Sequence, residues 1–272
     1  MESTPMLLTA IVSPVLILAG LAMSGSPLAA AEPRPFVGGG ELGAYRLAWS
    51  DEFDGTTLDT AKWSYRTDSK HWSTQSPANV SVADGKLRLA LKKEALRGKE
   101  YTGGGVISKR TFQYGYYEAR FKCPAGGGWH TSFWMMCHNG SGGTATDAAR
   151  QEIDVCEQDS VDPTYYRVNL HTWQYGHRSL GSVRIDTPDV SADFHVWGCE
   201  FTPTRIRFYF DGRKVASMDA TRLGHGPQNI WLTSIASPLG WTGEVDLKGL
   251  PGAAEFDYVR FFELPPQENA KK

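Results

Sequence analysis

Apolar and polar residues alternate with period two along much of the chain, the spacing of a strand with one face buried. In the 194–218 stretch "FHVWGCEFTPTRIRFYFDGRKVASM", Ile206, Phe208 and Phe210 alternate with Arg205, Arg207 and Tyr209. Asp211-Gly212 then supplies a hairpin turn. "VSVADGKLRLAL" repeats the pattern around Asp84-Gly85, and "YGYYEARFKCP" (114–124), "YYRVNLHTW" (165–173) and "EFDYVRFFEL" (255–264) read as further strands. Amphipathic helical spacing is scarce. Many short strands joined by Gly, Pro and Asp turns predict an all-β protein, a sandwich of two antiparallel sheets or a jelly roll.

Length sharpens this picture. A chain of 272 residues fits one large β domain. The expected organisation is a catalytic-type domain over 44–264 preceded by a Pro/Gly-rich linker, "EPRPFVGGGELG" (32–43), and followed by a disordered tail at 265–272. Residues 1–31 read as an export signal: an apolar run at 6–23, then small residues Ala29 and Ala31 ahead of Glu32. Met1–Pro5 carries Glu2 and no Lys or Arg, so a retained anchor is the alternative. Either way the predicted location is outside the cytoplasm, secreted or periplasmic. The net charge of −2, with no basic patch, argues against nucleic acid as a partner. Export permits disulfides among Cys123, Cys137, Cys156 and Cys199, but the irregular spacing fixes no pairing and does not suit zinc.

The candidate chemistry lies in "RQEIDVCEQDS" (150–160), where Glu152, Asp154 and Glu157 cluster among apolar Ile153, Val155 and Cys156. Like charges held close together cost free energy, so the cluster needs a reason: a solvated face, a cation site or catalysis. On a regular strand Glu152 and Asp154 share one face, while Glu157 points to the other. "GGGWHTSFWMM" (126–136) precedes the cluster and brings His130, Trp129 and Trp134; "NLHTW" follows it with His171 and Trp173. Paired carboxylates beside flat aromatic faces suit glycoside hydrolysis, in which one acid attacks and the other protonates the leaving oxygen.

"EIDVCE" resembles the E-x-D-x-x-E signature of glycoside hydrolase family 16, and "LAWSDEFDG" (47–55), "GVISKRTFQYGYYEARFKCP" and "EFDYVRFFE" resemble its flanking strands. The likeness covers about residues 45–263. It implies a concanavalin A-like β-jelly roll whose concave face binds a polysaccharide, cleaved internally with retention by an enzyme acting as a monomer and needing no cofactor for catalysis. Carried over by residue, Glu152 matches the nucleophile, Glu157 the general acid/base with a raised pKa, and Asp154 the helper between them. One branch of the family reads E-x-D-x-E. The extra residue here implies a β-bulge near Val155-Cys156, which returns Glu157 to the face of Glu152.

Trp129, Trp134, His130, His171 and Trp173 are the expected binding residues, joined by Trp72 in a loop and by Trp231, which with Trp241 flanks "LTSIASPLGW". The resemblance also implies a structural calcium on the convex side, with the Asp257 side chain and the Gly85 carbonyl among its ligands. The expected substrate is a β-1,3- or mixed β-1,3/1,4-glucan. The rivals are an algal galactan, such as agar, porphyran or carrageenan, and a carbohydrate-binding jelly roll without chemistry, which needs no such acids.

Overall fold

The computed structural model describes Met1 and residues 33–37, 42–136, 151–172, 176–237 and 244–265. The expected signal, the tail beyond Pro265, Cys137, Trp173 and Trp241 lie outside the described residues. The strands all lie in a compact unit that begins at Pro33.

Among the described residues the strands are β1 (Arg46–Asp51), β2 (Trp63–Tyr65), β3 (Ser69–Lys70), β4 (Ser73–Gln75), β5 (Val80–Ala83), β6 (Lys86–Leu91), β7 (Tyr101–Ser108), β8 (Gly115–Lys122) and β9 (Trp129–Met136). They continue as β10 (Gln151–Asp159), β11 (Tyr165–Thr172), β12 (Arg178–Asp186), β13 (His195–Phe201), β14 (Arg205–Phe210), β15 (Arg213–Asp219), β16 (Asn229–Ala236) and β17 (Gly252–Glu263). They form a jelly-roll sandwich of two sheets. The first runs β15-β14-β13-β8-β17-β6-β5, with β1 on the second half of β17. The second runs β12-β11-β10-β9-β16-β7-β4-β3, with β2 on β7. Pairing is antiparallel throughout except between β4 and β7.

The two Asp-Gly dipeptides do what the pattern requires. Asp84 and Gly85 have φ of 52° and 67°, and Asp211 and Gly212 have 46° and 74°. Both central residues are left-handed, the geometry whose twist matches that of the strands it joins. Between the sheets lies one apolar cluster, to which Phe121, Trp197 and Phe208 come from the first sheet and Phe133, Ile153, Tyr166 and Leu232 from the second. Trp197 stacks on Phe121 at 4.8 Å and meets the edge of Tyr166 at 4.6 Å, so one indole joins the layers. Each such buried side chain contributes about 1.5–3 kcal/mol.

The stretch expected as a linker is partly docked. Leu42 is buried with Tyr45, Tyr116, Tyr209 and Phe262, and the Phe36 amide donates to buried Glu118 Oε2 at 2.6 Å. The Gly-Pro composition signalled a loop, but the apolar residues within it found a pocket on the first sheet. Cys123, Cys156 and Cys199 are buried free thiols. No helix among the described residues is long and apolar enough to cross a membrane.

Candidate active site

The second sheet has two chemically distinct faces, set by period two. On β9, Phe133 and Met135 enter the core, while His130, Ser132, Trp134 and Met136 line a cleft. On β16, Ile230 and Leu232 are core, while Trp231, Thr233 and Ile235 line the cleft. Strand β10 would break this rule without a correction, and the correction is present. Asp154 pairs with Trp134 and Cys156 with Phe133, so Val155 is an extra residue opposite β9. The register against β11 slips in the same place, between the Asp154–Asn169 and Glu157–Arg167 pairs. Val155 and Cys156 are both buried in the core, consecutive residues on one side. The bulge therefore carries Glu157 back to the cleft, where it lines the same cavity of about 350 Å³ as Glu152 and Asp154.

Aromatic platforms flank the acids. Trp134 and Trp231 are cross-strand partners whose rings stack at 4.5 Å and 26°. Their orientation is fixed by Trp231 Nε1 donating to the Met136 carbonyl at 3.0 Å and Trp134 Nε1 to Thr233 Oγ1 at 3.3 Å. The Arg66 guanidinium lies 5.7 Å from the Trp231 ring and 6.0 Å from that of Trp134. Arg66 is itself held by Asp68 through two bonds of 2.6 and 3.0 Å.

A family profile described as "Beta-porphyranase A-D, GH16 domain" matches residues 46–263, which contain this whole arrangement. The chain belongs to glycoside hydrolase family 16. It is 30% identical to a β-glucanase of Rhodothermus marinus over 246 residues, covering 80% of this chain and 85% of that protein. It is also 30% identical to β-porphyranase E of Zobellia galactanivorans over 251 residues, covering 80% and 87%. Among solved structures it resembles SCLam, a non-specific endo-β-1,3(4)-glucanase of family 16, at a TM-score of 0.72 and 26% identity, covering 85% of this chain and 99% of that one.

The charges of this family 16 site are arranged asymmetrically. Asp154 is only 2% exposed. Burial, reinforced by the charges of Glu157 and Glu152, drives its pKa well above the ordinary carboxyl value. His171 Nε2 approaches Asp154 Oδ2 to 3.4 Å without the alignment of a hydrogen bond. Glu157 differs from expectation. Burial works to raise its pKa, but His130, by its bond and its charge, then His171 and the Asn169 amide outweigh burial and hold it below the ordinary value. Asn169 Nδ2 donates to Glu157 Oε2, and His130 Nε2 lies 3.3 Å from Glu157 Oε1. On its other side His130 Nδ1 meets Asp159 Oδ1 at 2.9 Å. Burial alone would lower the imidazole's pKa, yet the two carboxylates push it up to about 9. The member of the trio with the raised pKa is thus Asp154, and the expectation for Glu157 is corrected.

Of the expected binding residues, Trp134, Trp231 and His130 line the acid cleft, and His171 pairs with Glu152 across β10 and β11. Trp129 does not. It is 1% exposed and packs with Leu91 and Ala236. Its position, an odd number of residues from Trp134 on one regular strand, sends it to the opposite face. His130 occupies the cleft position instead. Trp72 packs on that Trp129 cluster and lines a neighbouring cavity with Tyr101 and Val245, away from the acids. Sequence reasoning missed Arg66, Lys70, His71, Ser132 and Thr233, which line the cleft, and Asn169 and Asp159, which bond its residues. Asp159 had a signal: it follows Glu157 by two residues and so shares its corrected face. The loop residues had none, because only the tertiary fold brings 66–71 over β9.

The calcium expectation is not confirmed. The Asp257 carboxylate accepts from Arg120 Nη1 at 2.6 Å, so its charge is already neutralised. Gly85 serves the turn described above. Among the described residues no group of three or more His, Cys, Asp or Glu side chains is placed to hold a metal ion.

Proposed function

We propose that the protein is an exported, retaining endo-glycosidase acting on a β-1,3- or mixed β-1,3/1,4-glucan. The observation that carries this reading is the bulge at Val155, which gathers Glu152, Asp154 and Glu157 on one cleft face beside the Trp134–Trp231 platform. The glucanase names of the Rhodothermus marinus relative and of SCLam favour glucan. The apolar run at 6–23 followed by Ala29 and Ala31 favours export.

In this reading Glu152, as carboxylate, attacks the anomeric carbon while Glu157 delivers a proton to the departing glycosidic oxygen. Water then attacks the glycosyl-enzyme, gives its proton to Glu157, and regenerates the Glu152 carboxylate. Asp154, whose ionisation is opposed by burial and by its two acidic neighbours, limits the charge that the trio carries. Trp134, partly exposed and backed by the stacked Trp231 ring, offers a flat face to the C–H face of a sugar ring.

A second reading, a sulfated galactan, is favoured by the cations Arg66 and Lys70 in the cleft and by the family profile's description. The deciding experiment incubates the protein with laminarin, lichenan, agarose, porphyran and carrageenan and analyses products by chromatography. Oligosaccharide release from laminarin or lichenan supports the glucan reading. Release from porphyran or carrageenan alone replaces it with the galactan.

A further inference from the structure

The proton that Glu157 must deliver to the leaving oxygen needs a source within reach of its carboxyl. The structure contains one. His130 is 7% exposed and spans the gap between two carboxylates, Nδ1 on Asp159 at 2.9 Å and Nε2 on Glu157 at 3.3 Å. Asp159 is 4% exposed and is the direct β10 partner of His130 on β9, so register fixes the pair. Asn169, on the far side of Glu157, donates to its other oxygen and holds the carboxylate facing the imidazole.

Resting on the assignment of Glu157 as acid/base, we propose that His130, oriented by Asp159, is a positioning residue that stores the catalytic proton of Glu157. In the first step the C–O glycosidic bond breaks, the leaving oxygen takes a proton from Glu157, and Glu157 takes one from His130 Nε2. Glu152 has then lost its charge to the new ester, His130 is neutral, and its Nδ1–H still donates to Asp159. In the second step water bonds to the anomeric carbon and the ester bond to Glu152 breaks. The proton of that water passes to Glu157 and back to Nε2. Each proton that leaves returns, and no outside donor is needed. A proton shared along a Glu157–His130–Asp159 chain lets one carboxyl serve as acid and then as base at neutral pH.

The surroundings agree. The titratable and charged groups around the imidazole and its partner Glu157 are Glu152, Asp154, Glu157 and Asp159 on β10, His171 on β11, and Arg66, Asp68, Lys70 and His71 across the cleft. Strand β16 contributes Thr233 and Ile235, which do not titrate. Asp159 and Glu157 together outweigh burial and keep the imidazole charged up to about pH 9.

The test compares wild type with His130→Gln, which keeps a hydrogen-bonding side chain without a titrating proton, on two substrates. Laminarin needs acid assistance. 2,4-Dinitrophenyl β-laminaribioside releases a phenolate that needs none. On laminarin at pH 8, kcat/KM is expected to fall by about 100-fold, with the alkaline limb of the pH profile displaced to lower pH. On the dinitrophenyl glycoside the loss should be under about tenfold. Equal losses on both substrates with an unmoved alkaline limb, or no loss, overturn the proposal. If His130→Gln does not fold by circular dichroism, Asp159→Asn, which keeps the imidazole and removes its anchor, must show the same substrate split. The wild-type protein gives a check without any substitution. Nitrogen-15 histidine spectra must show one imidazole protonated on both nitrogens through pH 8, and if every histidine titrates near the ordinary value of about 6.5 the store does not exist. Glu157→Gln separates the two layers: full laminarin cleavage by that variant removes the function assigned to Glu157, whereas an inactive Glu157→Gln beside an unaffected His130→Gln removes only the proton store.

Discussion

Deleting Val155 probes the bulge, because it turns E-x-D-x-x-E into E-x-D-x-E within the same sheet. After deletion Asp154 still faces Trp134, Cys156 takes the core position opposite Phe133, and Glu157 follows two residues after Asp154. That is the ordinary alternation, so Glu157 should stay in the cleft opposite Ser132, its present partner. Stability moves both ways. Val155 is 2% exposed, and losing its burial costs about 1.5–3 kcal/mol. One residue fewer to order returns roughly 1–2 kcal/mol of backbone entropy. The net is a loss of about 1 kcal/mol, or a Tm lowered by roughly 2–4 °C. Laminarin hydrolysis should remain within about tenfold of wild type, since misplacing a catalytic group by even 1 Å costs about 100-fold. Removing Val155 and Cys156 together makes Glu157 the neighbour of Asp154 and turns it toward the core, so that variant should be as inactive as Glu157→Gln. Thermal melts followed by circular dichroism and reducing-sugar assays read both quantities. A folded single-deletion variant as inactive as Glu157→Gln would refute the reasoning, because the extra residue would not be what sets the face of Glu157.

Other expectations are measurable on the same preparations. Glu152→Gln and Glu157→Gln should each abolish laminarin hydrolysis while leaving the melting curve near that of wild type. Asp154→Asn should slow turnover less than either and raise Tm at pH 7, because the amide is neutral where the buried carboxyl resists ionisation; a lower Tm would contradict the cause given for its raised pKa. Trp134→Ala should raise KM by about tenfold more than it lowers kcat, as expected of a platform bound equally in ground and transition states. The His130 ion pairs contribute stability fully present below the unfolded-state value of 6.5 and lost as pH rises through about 9, so the drop in Tm between pH 6.5 and 9.5 should be smaller in His130→Gln than in wild type.

How much of this was legible in the chain depends on which force fixed each feature. Period-two alternation announced the strands, and both Asp-Gly turns formed as the dipeptide dictates, because these are local effects. The bulge was legible through a conflict: three acids for one face with the wrong spacing between Asp154 and Glu157. Strand parity was equally available at Trp129, which was expected to bind sugar although alternation from Trp134 required its burial; alternation prevailed. The pKa order within the trio was not legible. It turns on His130 and Asn169, which reach Glu157 from neighbouring strands, and on the full burial of Asp154. Arg66–Asp68 and the residues around His71 likewise owe their place in the cleft to the packing of a loop that no periodicity describes.

The most direct test of the central claim is covalent trapping of the nucleophile. The protein is incubated with 2,4-dinitrophenyl 2-deoxy-2-fluoro-β-laminaribioside, digested, and its peptides are weighed by mass spectrometry. The account predicts that one fluoroglycosyl group appears on the peptide carrying Glu152, mapped by fragmentation to that residue. A label on any other carboxylate, or burst release of dinitrophenolate with no adduct in an enzyme that turns over laminarin, would contradict it.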